Sequence, residues 1–94
     1  MGPGKADLLE AIDTHGSISA AGRAMGMSYR RAWLLVSTMN ACFRSPLVIT
    51  SKGGAEGGSA ELTKTGRTVL TAYRRLAEQA RATFATLVVK PTAE

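Results

Sequence analysis

Arg30 and Arg31, flanked by Tyr29 and Trp33, are the residues of this chain best suited to chemistry. That chemistry is recognition of an anion. An arginine presents a planar fork of donors that fits a phosphate or the O6 and N7 acceptors of guanine. Catalysis has no comparable set. His15 has no neighbour that would orient it as an acid or base, and reads as a helix-end or surface residue. Cys42 is the single cysteine, so it forms no internal disulfide. It is expected buried or half-buried, as a small apolar residue. One His and one Cys far apart lack metal-ligand spacing. Gly4-Lys5 resembles the end of a phosphate-binding loop, but the Ser or Thr after the lysine and the preceding strand are missing. The sequence therefore assigns no catalytic residue, no metal and no cofactor.

Charge is distributed in keeping with anion recognition. No acidic residue lies between Asp13 and Glu56, whereas Arg23, Arg30, Arg31, Arg44 and Lys52 all do. Outside that interval seven basic residues face seven acidic ones, so the formal net charge of +5 sits on one segment. Such a field attracts a polyanion and makes binding salt-dependent. At 94 residues the chain is one small body whose core is marginal alone, and a dimer would help it. With 45% apolar and 20% charged residues it is globular rather than disordered. No apolar run is long enough to span a bilayer and no signal peptide is present, so the expected location is the reducing cytoplasm.

The arginines must be positioned by helices. Residues 5–15 read as a first helix with Leu8, Leu9 and Ile12 as its apolar stripe, stopped at Gly16. Ser19 is expected to cap a short helix at 20–25. In it Ala21, Gly22 and Ala24 carry so little bulk that another helix can come close. Gly26 sits where a left-handed residue ends that helix, Met27 plugs the turn, and Ser28 caps the next helix. That helix, 29–43, buries Ala32, Val36, Met39 and Phe43 at three-four spacing. Short helix, glycine turn and longer helix make a helix-turn-helix, whose second helix enters the DNA major groove. Tyr29, Arg30, Arg31, Trp33, Leu34 and Ser37 remain on the outer side. Arg30 and Arg31 are about 100° apart, so one faces bases and the other phosphate. Tyr29 is suited to a phosphate or a thymine methyl. Trp33 is suited to the DNA surface or, as a large apolar body, to packing on the hairpin or the last helix. Ser19 and Ser28, with the free amides beside them, are expected phosphate contacts.

Pro46 ends this helix region. Residues 47–50 read as a strand, 51–58 as a flexible glycine-rich loop and 59–62 as a returning strand, with Lys52 adding charge at the tip of the resulting wing. Thr63 or Thr65 caps a last helix reaching about residue 89, roughly 37 Å long. Its stripe includes Leu70, Tyr73, Leu76, Ala77, Ala80, Phe84 and Leu87. So small a body does not cover that length, and a second copy of the helix is the simplest partner.

The fold class is thus mainly α with a small β-hairpin wing: a winged helix-turn-helix at 1–62, then a dimerisation helix and tail at 63–94. The expected function is a sequence-specific transcriptional regulator on double-stranded DNA, a homodimer that is not an enzyme. The alternative is a protein-interaction module on the same scaffold. The chain resembles the N-terminal DNA-binding domain of the molybdate-responsive ModE family, related to LysR-type regulators. The resemblance is carried by GSISAA at 16–21, GMSY at 26–29, Ala32-Trp33, Met39-Asn40, the glycines of 53–58, and Leu62-Thr63 with Gly66. It implies a homodimer on a palindromic operator, with the last helix as interface. The family's full-length regulators carry C-terminal molybdate-binding domains, for which a chain ending at Glu94 has no room, so molybdate sensing is not carried over.

Overall fold

Among the described residues, four helices and a two-stranded hairpin follow one another as α1 (Pro3–His15), α2 (Ile18–Ala24), α3 (Tyr29–Cys42), β1 (Val48–Ser51), β2 (Ser59–Leu62) and α4 (Lys64–Leu87). The computed structural model describes residues 1–52 and 58–88. Most of the expected hairpin loop, residues 53–57, lies outside the described residues. The helix-turn-helix, the hairpin and the long last helix are those expected from the sequence.

Local chemistry fixes the boundaries. Pro3 starts α1 two residues earlier than expected, because proline's fixed φ suits a first helical turn. Gly16, at φ 78°, ends it. The cap of α2 is Ser17 and not Ser19: its side chain accepts from the Ala20 amide at 3.0 Å. Starting at Ile18 places Ile18, Ala21 and Gly22 on one buried face, a spacing that a helix starting at Ala20 would forgo. Gly26, at φ 71°, makes the turn. Ser28 caps α3 by accepting from the Arg31 amide at 3.1 Å, as expected. Thr63 caps α4 by accepting from the Gly66 amide at 2.9 Å.

The core is built from Leu8, Leu9 and Ile12 of α1, Ile18 and Ala21 of α2, Ala32, Val36 and Met39 of α3, and Leu47, Val48, Ala60 and Leu62 of the hairpin region. Met27 packs against it from the turn. Gly22 lets α2 and α3 come close, for a Cβ there would stand 3.2 Å from that of Ala32. Phe43, expected on the buried face, is instead the C-cap of α3 and 38% exposed, because the chain turns extended there. The strands pair antiparallel, with Val48 opposite Leu62 and Ser51 opposite Ser59. The first strand begins one residue later than expected. Leu47 stays outside the ladder, where its carbonyl accepts from the Thr63 amide at 2.9 Å.

Only the first part of α4 belongs to this body. Gly66 is its one buried residue, while Val69 and Leu70 pack partly against the core. Arg67 pairs with Asp13, and Arg74 pairs with Asp7 and Glu10 of α1. Beyond them the helix projects, which gives the molecule extents of 58 × 29 × 19 Å.

Candidate nucleic-acid interface

The inner face of α3 is core, and that leaves its outer face to present side chains. Counting about 100° of turn per residue, Arg30, Leu34, Ser37 and Ala41 line the middle of the outer face. Tyr29 and Trp33 border it on one side, Arg31 and Thr38 on the other. All eight are exposed. Neither Arg30 nor Arg31 enters an ion pair among the described residues. The helix dipole and the free amides of the first turn add positive potential at the same end. A groove-sized convex face with a guanidinium in its centre and another on its border suits duplex nucleic acid.

Trp33, expected either at the DNA surface or packed on the hairpin or the last helix, lies on the outer side of α3. It is 39% exposed, stands outside the core and its packed fringe, and donates its indole N–H to the Tyr29 hydroxyl at 2.6 Å. Four residues apart on one helix, the two aromatics find each other before any distant element is in reach. Ser19 lies on the second residue of α2, where its hydroxyl accepts from the Arg23 guanidinium at 3.0 Å. Ser28 is exposed beside the α3 amides. Lys52 is exposed just past β1, and neither a hydrogen bond nor an ion pair joins it to α3 among the described residues. His15 is exposed. Cys42 is exposed rather than buried, because its position in the last turn of α3 lies off the stripe formed by Ala32, Val36 and Met39.

Three relatives share most of this chain's length. The molybdenum transport protein ModE of Azotobacter vinelandii is 44% identical over 69 residues, covering 73% of this chain and 26% of that protein. The molybdenum-pterin-binding protein MopA of Rhodobacter capsulatus is 41% identical over 73 residues, 78% of this chain and 28% of the relative. The transcriptional regulator ModE of Yersinia pestis is 36% identical over 85 residues, 90% and 32%. Among solved structures, the DNA-binding domain of CbnR in complex with DNA superposes with a TM-score of 0.68 at 21% identity, over 92% of this chain and 93% of that one. The full-length LysR-type regulator LysG of Corynebacterium glutamicum superposes at 0.65 and 24% identity, over 93% of this chain and 28% of its own. The chain is a ModE-like winged-helix domain. No family model matches it. It spans between about a quarter and a third of the length of these relatives.

Sequence reasoning missed how the ModE-like domain holds its hairpin against α3. Asn40, half-buried on α3, donates from Nδ2 to the Val48 carbonyl at 3.1 Å. Its Oδ1 accepts from the amides of Leu47 and Val48 at 2.8 and 3.1 Å. One side chain thus ties the start of the wing to the outward-facing helix. The available signal was an asparagine, a poor helix former, at the edge of an apolar stripe. Its partner could not be read, because a seven-residue separation through a turn leaves the geometry open.

Proposed function

We propose that this ModE-like domain binds double-stranded DNA sequence-specifically and acts as a homodimeric transcriptional regulator, with residues 1–62 reading DNA and 63–94 joining two copies. The observation that carries this reading is Arg30 at the centre of a solvent-facing helix surface whose reverse side is core, within a segment holding no acidic residue from Thr14 to Ala55. The relative from Yersinia pestis bears the name of a transcriptional regulator, and the CbnR domain was solved on DNA, which supports the same reading. In this arrangement Arg30 contacts base edges with Ser37 farther along the same central line, Arg31 and Ser28 contact phosphate, and Ser19 and Lys52 lie at the margins of the contact. The projecting part of α4 favours pairing: Leu76, Phe84 and Leu87 are each about two-thirds exposed on it. An open cleft beside α1, lined by Glu10, Asp13, Leu70, Arg74, Glu78 and Ala82, offers room along the same helix. Tyr73 is half-buried, and Ala77 and Ala80 are exposed along it.

Selection of bound sequences from random duplexes, followed by mobility-shift titration, tests the proposal. A palindrome with half-sites about one helical turn or more apart is expected. Arg30→Ala is expected to cost about 1–3 kcal/mol of specific binding and to relax preference at one base pair. Arg31→Ala should weaken all sequences alike and reduce the salt slope by about one. Unchanged titrations for both variants would refute the reading. Weak, salt-insensitive association would favour a protein-interaction module instead.

A further inference from the structure

We propose that Trp33 is a positioning residue: it holds the Tyr29 hydroxyl so that this hydroxyl donates its hydrogen to a phosphodiester oxygen on the rim of the major groove. The inference rests on the DNA-binding reading above and adds a contact to it.

The chemistry of the pair gives it direction. An indole N–H is a donor only, and that of Trp33 is engaged by Tyr29 at 2.6 Å. The tryptophan thus has no polar group left for a base edge. The tyrosine hydroxyl has one hydrogen, and accepting from Trp33 turns that hydrogen away from the indole and strengthens it as a donor. Among the described residues no acceptor receives it. What is presented outward is a single polarised donor, complementary to a group that only accepts. A phosphodiester oxygen is such a group.

Location selects phosphate over base. Tyr29 directly follows the cap Ser28 and borders the outer face of α3, whose centre is held by Arg30, Leu34 and Ser37. A helix lying in the major groove brings its central side chains to the base edges and its border side chains to the backbones on either wall. Tyr29 and Trp33 face one wall while Arg31 faces the other. The bond also has a role before binding. Two aromatic rings exposed at 55% and 39% gain little from packing, but tying them together restricts Tyr29 in advance and lowers the ordering cost of the contact.

The test is a double-mutant cycle in the whole chain, with Tyr29→Phe, Trp33→Phe and the double variant titrated against the selected duplex. Tyr29→Phe is expected to weaken binding about tenfold, and Trp33→Phe about threefold. The double variant should be no weaker than Tyr29→Phe alone. The selected sequence and the salt slope stay unchanged, because a neutral phosphate contact carries no base information and releases no counterion. A methylphosphonate at the contacted position should weaken wild type more than Tyr29→Phe, the difference being the lost hydrogen bond. As Trp33 is the sole tryptophan, its emission in the free protein should shift on Tyr29→Phe. Additive losses, an unaffected Tyr29→Phe, or a changed preference at one base pair would overturn the inference. If these occur while Arg30→Ala still impairs specific binding, the inference alone falls. If wild type selects no sequence, the DNA-binding reading falls and takes the inference with it. Both side chains are exposed, so folding is preserved, and an unchanged circular dichroism spectrum verifies it.

Discussion

The two halves of α4 share one apolar three-four spacing and have opposite surroundings. From Lys64 to Arg74 the helix is fastened to its own body: Thr63 caps it, Gly66 lies buried against the hairpin, and Arg67 and Arg74 reach Asp13, Asp7 and Glu10. The guanidinium of Arg74 is held above its ordinary pKa by the hydrogen bonds it donates to the Asp7 and Glu10 carboxylates. From Arg75 to Leu87 no hydrogen bond or ion pair leaves the helix among the described residues, and its one ion pair is internal, Glu78 with Arg81. Yet the second half also carries large apolar side chains, Leu76, Phe84 and Leu87, all exposed. The contrast teaches that apolar periodicity identifies a face to be covered without saying whether the same chain covers it. The first half is stabilised by folding; the second has its apolar residues in water until something docks on it.

The largest expected effect lies in the docked half. A Cβ at Gly66 would run into the carbonyl oxygen of Leu47, a backbone atom that cannot swing aside. Gly66→Ala should therefore destabilise the domain by about 3 kcal/mol, a large share of the stability of so small a domain. It should lower the thermal midpoint at any protein concentration. A midpoint near wild type would mean that α4 slides on the hairpin and is not fastened there, and the contrast between the halves would lose its first member.

The free half should respond differently. Leu76→Ser with Phe84→Ser removes no core contact, because both residues are about two-thirds exposed. At high dilution the unfolding midpoint should match wild type. Under the proposed pairing, self-association by analytical ultracentrifugation should weaken at least tenfold, a loss of about 1.4 kcal/mol or more. Loss of monomer stability instead would show that the far half folds back on its own body. Unaltered self-association would remove these two side chains from the interface.

Much of this contrast was legible in the residues. Spacing identified the helices, Gly16, Gly26 and Ser28 fixed ends through conformations and hydrogen bonds that are local, and the bare charge interval singled out Arg30 and Arg31. The length of α4 relative to the body foretold a projecting end. What escaped the sequence was the pairing of near neighbours that compete for a role. Ser17 and Ser19 are both good caps, and only the need to bury Ile18 with Ala21 and Gly22 selects Ser17. Trp33 is bulky enough for a core, yet Tyr29 four residues away engages it on the surface. Asn40 reaches across a turn whose path depends on tertiary packing. In each case the deciding partner is set by the backbone's course and not by residue type.

The smallest expected effect is electrostatic and belongs to the free half. Hydrogen bonds from both Nε and Nη2 of Arg81 hold the Glu78 carboxyl below the ordinary glutamate range. A carboxyl whose pKa is lowered on folding contributes stability above its unfolded pKa, and the contribution is lost as pH falls through the folded value. Both side chains are well exposed, so solvent and salt screen the pair. Glu78→Gln should therefore reduce helicity only marginally at neutral pH and low salt, by circular dichroism. The difference from wild type should vanish on acidification and on adding salt. A large, salt-resistant loss at neutral pH would show that Glu78 is engaged by something beyond its own helix, a partner's cation being the simplest candidate. The second half of α4 would then be no free surface even in the dilute chain.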